Sequence, residues 1–244
     1  MTKQTRLFNL QAADPSWRVC LKEGLEKINP DYLDHLYHTH HWLPGHDNIF
    51  NAFSLSLNKI NYVLFGESPY PRPQSANGFA FWDAAVTDLW SPTGLSKPVN
   101  RATSLRNILK MLLVAEGVLD PQHTGQEEIA KINKKSFIQT NTELFGHLLD
   151  HGFLLLNATP VLQPKGVRKD AAAWLPFISF VLRYLLQHRP QVQLILLGKI
   201  ANLINKLIPD PSIKKFYAEH PYNISFINNP TIIHFFKPFH LLRT

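Results

Sequence analysis

Residues 62–83 read YVLFGESPYPRPQSANGFAFWD, an apolar run followed by a loop that contains three prolines and two glycines. The apolar run is typical of a buried strand, because it is short and rich in β-branched and aromatic residues. Each proline fixes a backbone φ angle, so the loop should hold its side chains and amides in place with little further ordering. A stiff loop at a strand end favours a ligand site, although a proline-rich turn that merely covers the sheet satisfies the same local physics.

Three further apolar segments follow this one along the chain, with helical patterns between them. Strands that alternate with helices form mostly parallel sheets covered by helices on both faces. The sequence therefore predicts an α/β fold of three α/β/α layers around a central, mostly parallel four-stranded sheet. The predicted strands are residues 61–65, 152–156, 192–197 and 215–218, and the predicted helices are residues 17–36 with a break at Pro30, 103–113, 141–149, 171–187 and 199–207.

Side chains that can cap helices mark where two of these helices begin. Thr103 or Ser104 is the predicted N-cap of the helix at 103–113, and Asn141 is the predicted N-cap of the helix at 141–149. Each of these side chains can accept a hydrogen bond from a free backbone amide in the first helical turn.

The composition is that of a globular protein with a basic surface. Apolar residues make up 45% of the 244 residues and charged residues 18%, which allows a large core and argues against disorder. The net charge of +7 favours a polyanionic partner, either nucleic acid or an acidic membrane surface. The single cysteine cannot form an internal disulfide, and no segment resembles a signal peptide or a membrane span, so a cytoplasmic location is expected.

The pattern of elements predicts a single domain. Residues 1–14 are expected to form a loose tail, and residues 15–244 one domain within the normal size of an α/β unit. Residues 118–140 are polar and interrupt the pattern, and we interpret them as an excursion within that domain.

Parallel sheets bind ligands at the carboxyl ends of their strands, which singles out the loops after residues 65, 156, 197 and 218. Asn157 ends the second strand, and its amide either bonds local backbone or offers a donor and an acceptor that match a nucleobase edge. His220 follows the fourth strand at a position where ligand groups are expected, although a lone histidine is more often structural. Phe81 ends the first loop and is either a core residue or a stacking platform for a planar ring.

These loops carry motifs that resemble those of the uracil-DNA glycosylase family. Residues 66–83 align without a gap with the family's water-activating loop, GQDPYHGPGQAHGLAFSV. The resemblance extends from about residue 15 to residue 242 and implies the uracil-DNA glycosylase-like fold. Four other motifs keep the family's order and spacing: IFNAF at 49–53, SLRNI at 104–108, LLLN at 154–157 and HPYNIS at 220–225.

The resemblance implies a pocket that accepts a uracil nucleotide rotated out of DNA. Phe81 would stack on the base, and Asn157 would read its Watson–Crick edge. Tyr70 would stand where the methyl group of thymine must go and would exclude thymine by a clash.

The catalytic residues implied by the resemblance are Ser68, Glu67 and His220. The backbone amides of Glu67 and Ser68 would contact a uracil oxygen, and a neutral His220 would hydrogen-bond that oxygen as charge develops on the departing base. The family's catalytic aspartate is here Ser68, which can hold a water but brings no negative charge. Glu67 replaces a glutamine, and because GESP is similar to the GEAPG loop of the thermostable bacterial branch, we hypothesise that Glu67 partly supplies the missing charge.

Loops around the pocket are the predicted DNA contacts. Ile224 falls where the family has a leucine wedge that fills the gap left by the extruded base. The remaining predicted contacts lie on loops that bind phosphates in the family: Pro71, Arg72, Ser104, Tyr222 and Ser225.

Three functions remain open on the sequence alone. The first is a uracil-DNA glycosylase of base-excision repair, which acts on uracil in single- or double-stranded DNA as a monomer, without metal, cofactor or membrane. The second is a non-catalytic nucleic-acid-binding or interaction protein on the same fold, which Ser68 and the altered loops favour. The third is a glycosylase with a shifted base preference that uses Glu67 and His220.

Overall fold

A parallel four-stranded sheet forms the centre of the computed structural model, which describes residues 8–39, 41–164 and 166–244. The four predicted strands are confirmed, each within one residue of its predicted ends. A short antiparallel pair, β2 and β3 below, was not predicted. The strands are β1 (Tyr62–Gly66), β2 (Trp90–Ser91), β3 (Gly94–Leu95), β4 (Phe153–Asn157), β5 (Gln193–Leu197) and β6 (Lys215–Ala218).

The strand order in the main sheet is β4-β1-β5-β6, so the first strand in the chain lies in the interior of the sheet. β1 pairs with both neighbours, which places Tyr62 opposite Phe153 and Gln193. Every residue of β4 is buried, and β1 and β5 are buried after their first residues. Such unbroken apolar runs are typical of parallel strands covered on both faces.

Helices cover both faces of the sheet and give the predicted three layers. Val63 and Phe65 belong to a core on one face that includes Trp174, whereas Leu64 belongs to a core on the other face that includes Phe145. This alternation follows from the two-residue period of a strand, and it confirms the α/β/α fold. Within the described ranges, no helix is both long and apolar enough to cross a membrane.

The predicted helices are confirmed, and the longest begins four residues earlier than expected. The helices are α1 (Arg18–Leu25), α2 (Pro30–His38), α3 (Lys97–Arg101), α4 (Thr103–Ala115), α5 (Gln126–Lys131), α6 (Asn141–Asp150), α7 (Val167–His188), α8 (Ile200–Leu207) and α9 (Pro230–Phe236).

The predicted N-caps of α4 and α6 are wrong. Ala102 occupies the cap position of α4, so neither Thr103 nor Ser104 caps that helix through its side chain. α6 is capped by Thr140, which forms a capping box with Glu143 because the two residues have the required spacing of three.

Two polar segments pack more closely than their composition suggests. Phe8 and Ala13 are buried in the core that contains Trp17, so the predicted loose tail is wrong for residues 8–14, while residues 1–7 lie outside the described residues. Within the excursion at 118–140, Ile129 and Phe137 are fully buried. They belong to the core that contains Phe145, on the other face of the sheet from Trp17.

Candidate active site

The loop at residues 66–83 is fastened at both ends to the segment that contains β4. The amides of Ala158 and Thr159 donate to the carbonyl oxygens of Gly66 and Glu67 at 3.0 and 2.9 Å. At the far end, the amide of Ala80 donates to the carbonyl of Leu155 at 3.1 Å. The stiffness predicted from the prolines is therefore supplemented by backbone hydrogen bonds to the neighbouring strand.

An ion pair closes the loop on itself. A guanidinium nitrogen of Arg72 lies 3.0 Å from Oδ2 of Asp83, whose side chain is buried while that of Arg72 is exposed. Asn141, at the start of α6, donates from its side chain to the backbone carbonyl of Asp83 at 3.0 Å. In the free protein the Arg72 side chain is therefore bonded to a residue of its own loop. Its predicted contact with DNA stays a prediction.

The residues predicted to form the pocket line one cavity of about 230 Å³. This is below the ~300–1,000 Å³ of typical drug-sized ligand sites, and such a size suits a single planar ring. Ser104, which was predicted as a DNA contact, also lines it. The lining residues are Gly66, Glu67, Ser68, Pro69, Tyr70, Pro71, Phe79, Phe81, Ser104, Asn157 and His220.

Phe81 and Tyr70 are held as a unit on one side of this cavity. Phe81 has a φ of 63°, a left-handed conformation that is unusual for a residue other than glycine and is often found at functional sites. The hydroxyl of Tyr70 donates to the carbonyl of Phe81 at 3.1 Å, and burial raises the pKa of Tyr70, which keeps its phenol neutral. The ring of Phe81 lies 6.0 Å from that of His220, centroid to centroid.

Asn157 ends β4 and lines the cavity, with its side-chain oxygen next to Gly66. Its side chain is buried at 4% exposure, and no hydrogen bond from the described residues occupies it. A Cβ atom added to Gly66 would overlap Oδ1 of Asn157 and lie 2.8 Å from the Cβ of Ala80. Glycine is therefore required at 66 for the amide to reach its position, and the amide remains available to a ligand.

His220 is oriented by its own loop. The backbone amide of Tyr222 donates to its Nδ1 at 3.1 Å, so the proton of the neutral imidazole resides on Nε2. Burial lowers the pKa of His220 below its ordinary value of 6.5, and the nearby charge of Glu67 opposes this shift. At neutral pH the ring is uncharged, with Nε2–H as a hydrogen-bond donor.

Two residues that the sequence did not single out, Gly198 and Asn107, contact the loop that carries His220. Gly198, with a φ of 74°, lets the loop after β5 approach so closely that an added Cβ would lie 2.8 Å from the Cβ of His220. The buried side chain of Asn107 on α4 donates to the carbonyl of Pro221 at 2.7 Å. The only sequence signal for the contact between Gly198 and His220 was a glycine directly after a predicted strand. That His220 is the partner of this glycine follows only from the strand order.

The remaining predicted site residues fall into two groups. Glu67, Ser68 and Pro71 line the cavity, whereas the loop that begins with His220 carries three residues outside the lining: Tyr222, Ile224 and Ser225. Ser68 is half-buried and Glu67 is exposed, both at the end of β1. Pro71 and Ser225 are exposed, as are Tyr222 and Ile224 on the His220 loop.

The chain is similar to proteins of known structure, although no family model matches it. The UNG of Nitratifractor salsuginis is 38% identical, with a TM-score of 0.91 over 98% of this chain and 96% of that one. The uracil-DNA glycosylase of Streptococcus agalactiae serotype III, strain NEM316, is 29% identical over 86% of this chain and 84% of its own length. The mimivirus uracil-DNA glycosylase, 18% identical with a TM-score of 0.58 over 90% of this chain and 71% of that one, shares the fold.

The likeness to the N. salsuginis protein spans nearly the full length of both chains. The aligned part leaves out only 2% of this chain. On this relationship, the chain belongs to the uracil-DNA glycosylase family.

Proposed function

We propose that this protein is a uracil-DNA glycosylase of base-excision repair, which hydrolyses the N-glycosidic bond of a uracil nucleotide rotated out of DNA. The observation that carries the proposal is the convergence of Tyr70, Phe81, Asn157 and a neutral His220 on one ring-sized cavity. A cavity that does not bind a pyrimidine would not need all four of these side chains.

In this proposal the cavity selects uracil by stacking, by hydrogen bonds and by exclusion. Phe81 offers a ring face to the base, and the free amide of Asn157 offers a donor and an acceptor to its Watson–Crick edge. Tyr70 is fixed through its hydroxyl and cannot withdraw, so a methyl group on the base would clash with it.

In the chemical step, the bond between uracil N1 and the sugar C1′ breaks, and its electron pair leaves with the base. Nε2–H of His220 donates to the uracil oxygen that gains charge, with the amides of Glu67 and Ser68 beside it. Water then supplies the hydroxyl group that C1′ gains, and the remaining proton of that water neutralises the uracil anion. Ser68 holds this water, and Glu67 supplies negative charge near the cationic sugar. No metal or cofactor takes part in this scheme.

Replacing Gly66 with alanine should cost both stability and activity. The new Cβ would overlap the Asn157 amide, so we expect a loss of about 1–3 kcal/mol in unfolding free energy and about 10² in the rate of uracil release. The matched control is Gly146→Ala on α6, where a Cβ meets nothing within 4 Å and should stabilise the helix by about 0.5–1 kcal/mol. Full uracil release by the Gly66 variant would show that Asn157 need not occupy its present position.

Replacing Glu67 with glutamine should slow uracil release by about five- to tenfold, because a charge a few ångströms away contributes about 1 kcal/mol even in water.

The same substitution should change the pH dependence of uracil release. Since Glu67 stabilises the protonated imidazole, its loss should lower the pKa of His220 further. Protonation of Nδ1 would break its contact with the Tyr222 amide, so activity should fall as pH drops through that pKa. The acid limb of the pH–rate profile should therefore move to lower pH in the variant. An unchanged rate and profile would remove Glu67 from the mechanism, and Glu127→Gln on α5 is the control.

The test of the proposal is base release from oligonucleotides that contain uracil, hypoxanthine or only undamaged bases, with abasic sites measured after incubation. Release of uracil alone is the expected result. Binding without release would favour the alternative of a non-catalytic nucleic-acid-binding or interaction protein, and release of hypoxanthine would favour a shifted base preference.

The proposal also includes a monomeric, cytoplasmic protein that binds single- or double-stranded DNA, with one domain to which residues 8–14 belong as well as residues 15–244. The net charge of +7 supports a nucleic-acid partner, and binding should weaken steeply as salt rises if phosphates dominate the contact.

A further inference from the structure

Tyr222 and Ile224 are the two most exposed large apolar side chains among the described residues, at 69% and 76% exposure. Both lie on the loop that begins with His220, whose side chain lines the cavity. Exposed apolar side chains that cluster beside a binding site mark a surface that contacts a partner.

The loop that displays them is held by hydrogen bonds at each step. The amide of Asn223 donates to the carbonyl of His220 at 2.9 Å, and the Tyr222 amide bonds the His220 ring. The side chain of Asn107 bonds the carbonyls of both Pro221 and Asn223, at 2.7 and 3.4 Å. The exposure of Tyr222 therefore belongs to a fixed backbone and does not come from a loose segment.

We propose that Tyr222 is a stacking platform for an unpaired base next to the extruded nucleotide. This inference rests on the proposed function. An aromatic ring offers a face to any base, and such stacking is sequence-tolerant. In a duplex the neighbouring bases are already stacked and paired, so the ring would gain less there than on a single strand.

The geometry gives Tyr222 and Ile224 different tasks. An aliphatic side chain can fill the gap that the extruded base leaves, as apolar wedges do between base steps. A flat ring with a polar hydroxyl suits a base that remains in water on its other face. Both residues lie within four positions of His220, which lines the cavity, so in this proposal one strand contacts both while its uracil is inside.

The test compares Tyr222→Ala, Tyr222→Phe and the wild-type full-length protein on uracil-containing oligonucleotides, single-stranded and paired. We expect Tyr222→Ala to bind the single strand about ten- to a hundredfold more weakly by fluorescence anisotropy and to lose a smaller factor on the duplex. Tyr222→Phe, which keeps the ring, should bind like the wild type. The control is Tyr217→Ala on β6, an exposed tyrosine whose hydroxyl bonds Asn205 and which lies outside the cavity lining.

A second substrate locates the stacking partner. When the bases next to uracil are replaced by abasic sites, the wild type should lose the same factor as Tyr222→Ala, and the variant should lose nothing more. Equal binding of all variants to the single strand would overturn the stacking role, as would an equal loss on the duplex. Tyr222-dependent binding without any base release would overturn the proposed activity and keep the stacking role, and a wild type that binds no DNA would overturn both.

Discussion

Replacing His220 with alanine should slow uracil release by about 10²- to 10³-fold under single-turnover conditions, with little change in thermal stability. The substitution removes the donor that meets charge on the departing base, and loss of one such donor typically costs this much. The side chain is half-buried, its ring lies 6.0 Å from that of Phe81, and it accepts one hydrogen bond from its own loop, so we expect the fold to depend on it little.

Two further variants separate the donor from the bulk of the ring. His220→Gln keeps an N–H donor of similar reach and should recover part of the lost rate. His188→Ala on α7, where the histidine bonds only its own helix through Nδ1, should leave the rate unchanged. A full rate in His220→Ala would mean that the leaving base is stabilised by other groups, and the proposed chemistry would be wrong.

Replacing Ser68 with aspartate should raise uracil release by up to about 10²–10⁴, the usual contribution of a positioned catalytic base. Ser68 already lines the cavity at the end of β1, and the loop around it is fixed by hydrogen bonds to the segment after β4. The charge is thus added at a position where the backbone needs no adjustment.

The matched control is Ser68→Asn, which has the same shape as aspartate without the charge. Only the aspartate variant should gain activity, and the gain should grow when Glu67 is also replaced by glutamine, because two adjacent carboxylates repel each other. No gain in either background would mean that the water approaches from another side of the cavity.

The sheet and the composition of the cavity could be predicted from the sequence, because both depend on local patterns. Unbroken apolar runs identified the four strands, and the rule that ligands bind at the carboxyl ends of parallel strands pointed to Asn157 and His220. The motif that follows β1 then identified Tyr70 and Phe81 as their neighbours.

The supports of the site could not be predicted, because each depends on a contact between distant segments. The tautomer of His220 is fixed by one backbone amide, and the approach of Gly198 requires knowledge of which strands are adjacent. Phe8 has only Leu7 and Leu10 as close apolar neighbours, a stretch too short to show a period that would indicate burial. The capping role of Thr140 was missed because Asn141, a good cap former, stands next to it.

The interior position of β1 has a consequence for how the chain is made. This strand leaves the ribosome early, yet its partners Phe153–Asn157 and Gln193–Leu197 are synthesised much later. Until then an apolar segment with two open edges must stay apart from other nascent chains, a situation that promotes aggregation. Substitutions at residues 62–65 that make this segment more prone to pair with other chains are therefore expected to lower the yield of soluble protein during expression, even where the purified enzyme would be fully competent.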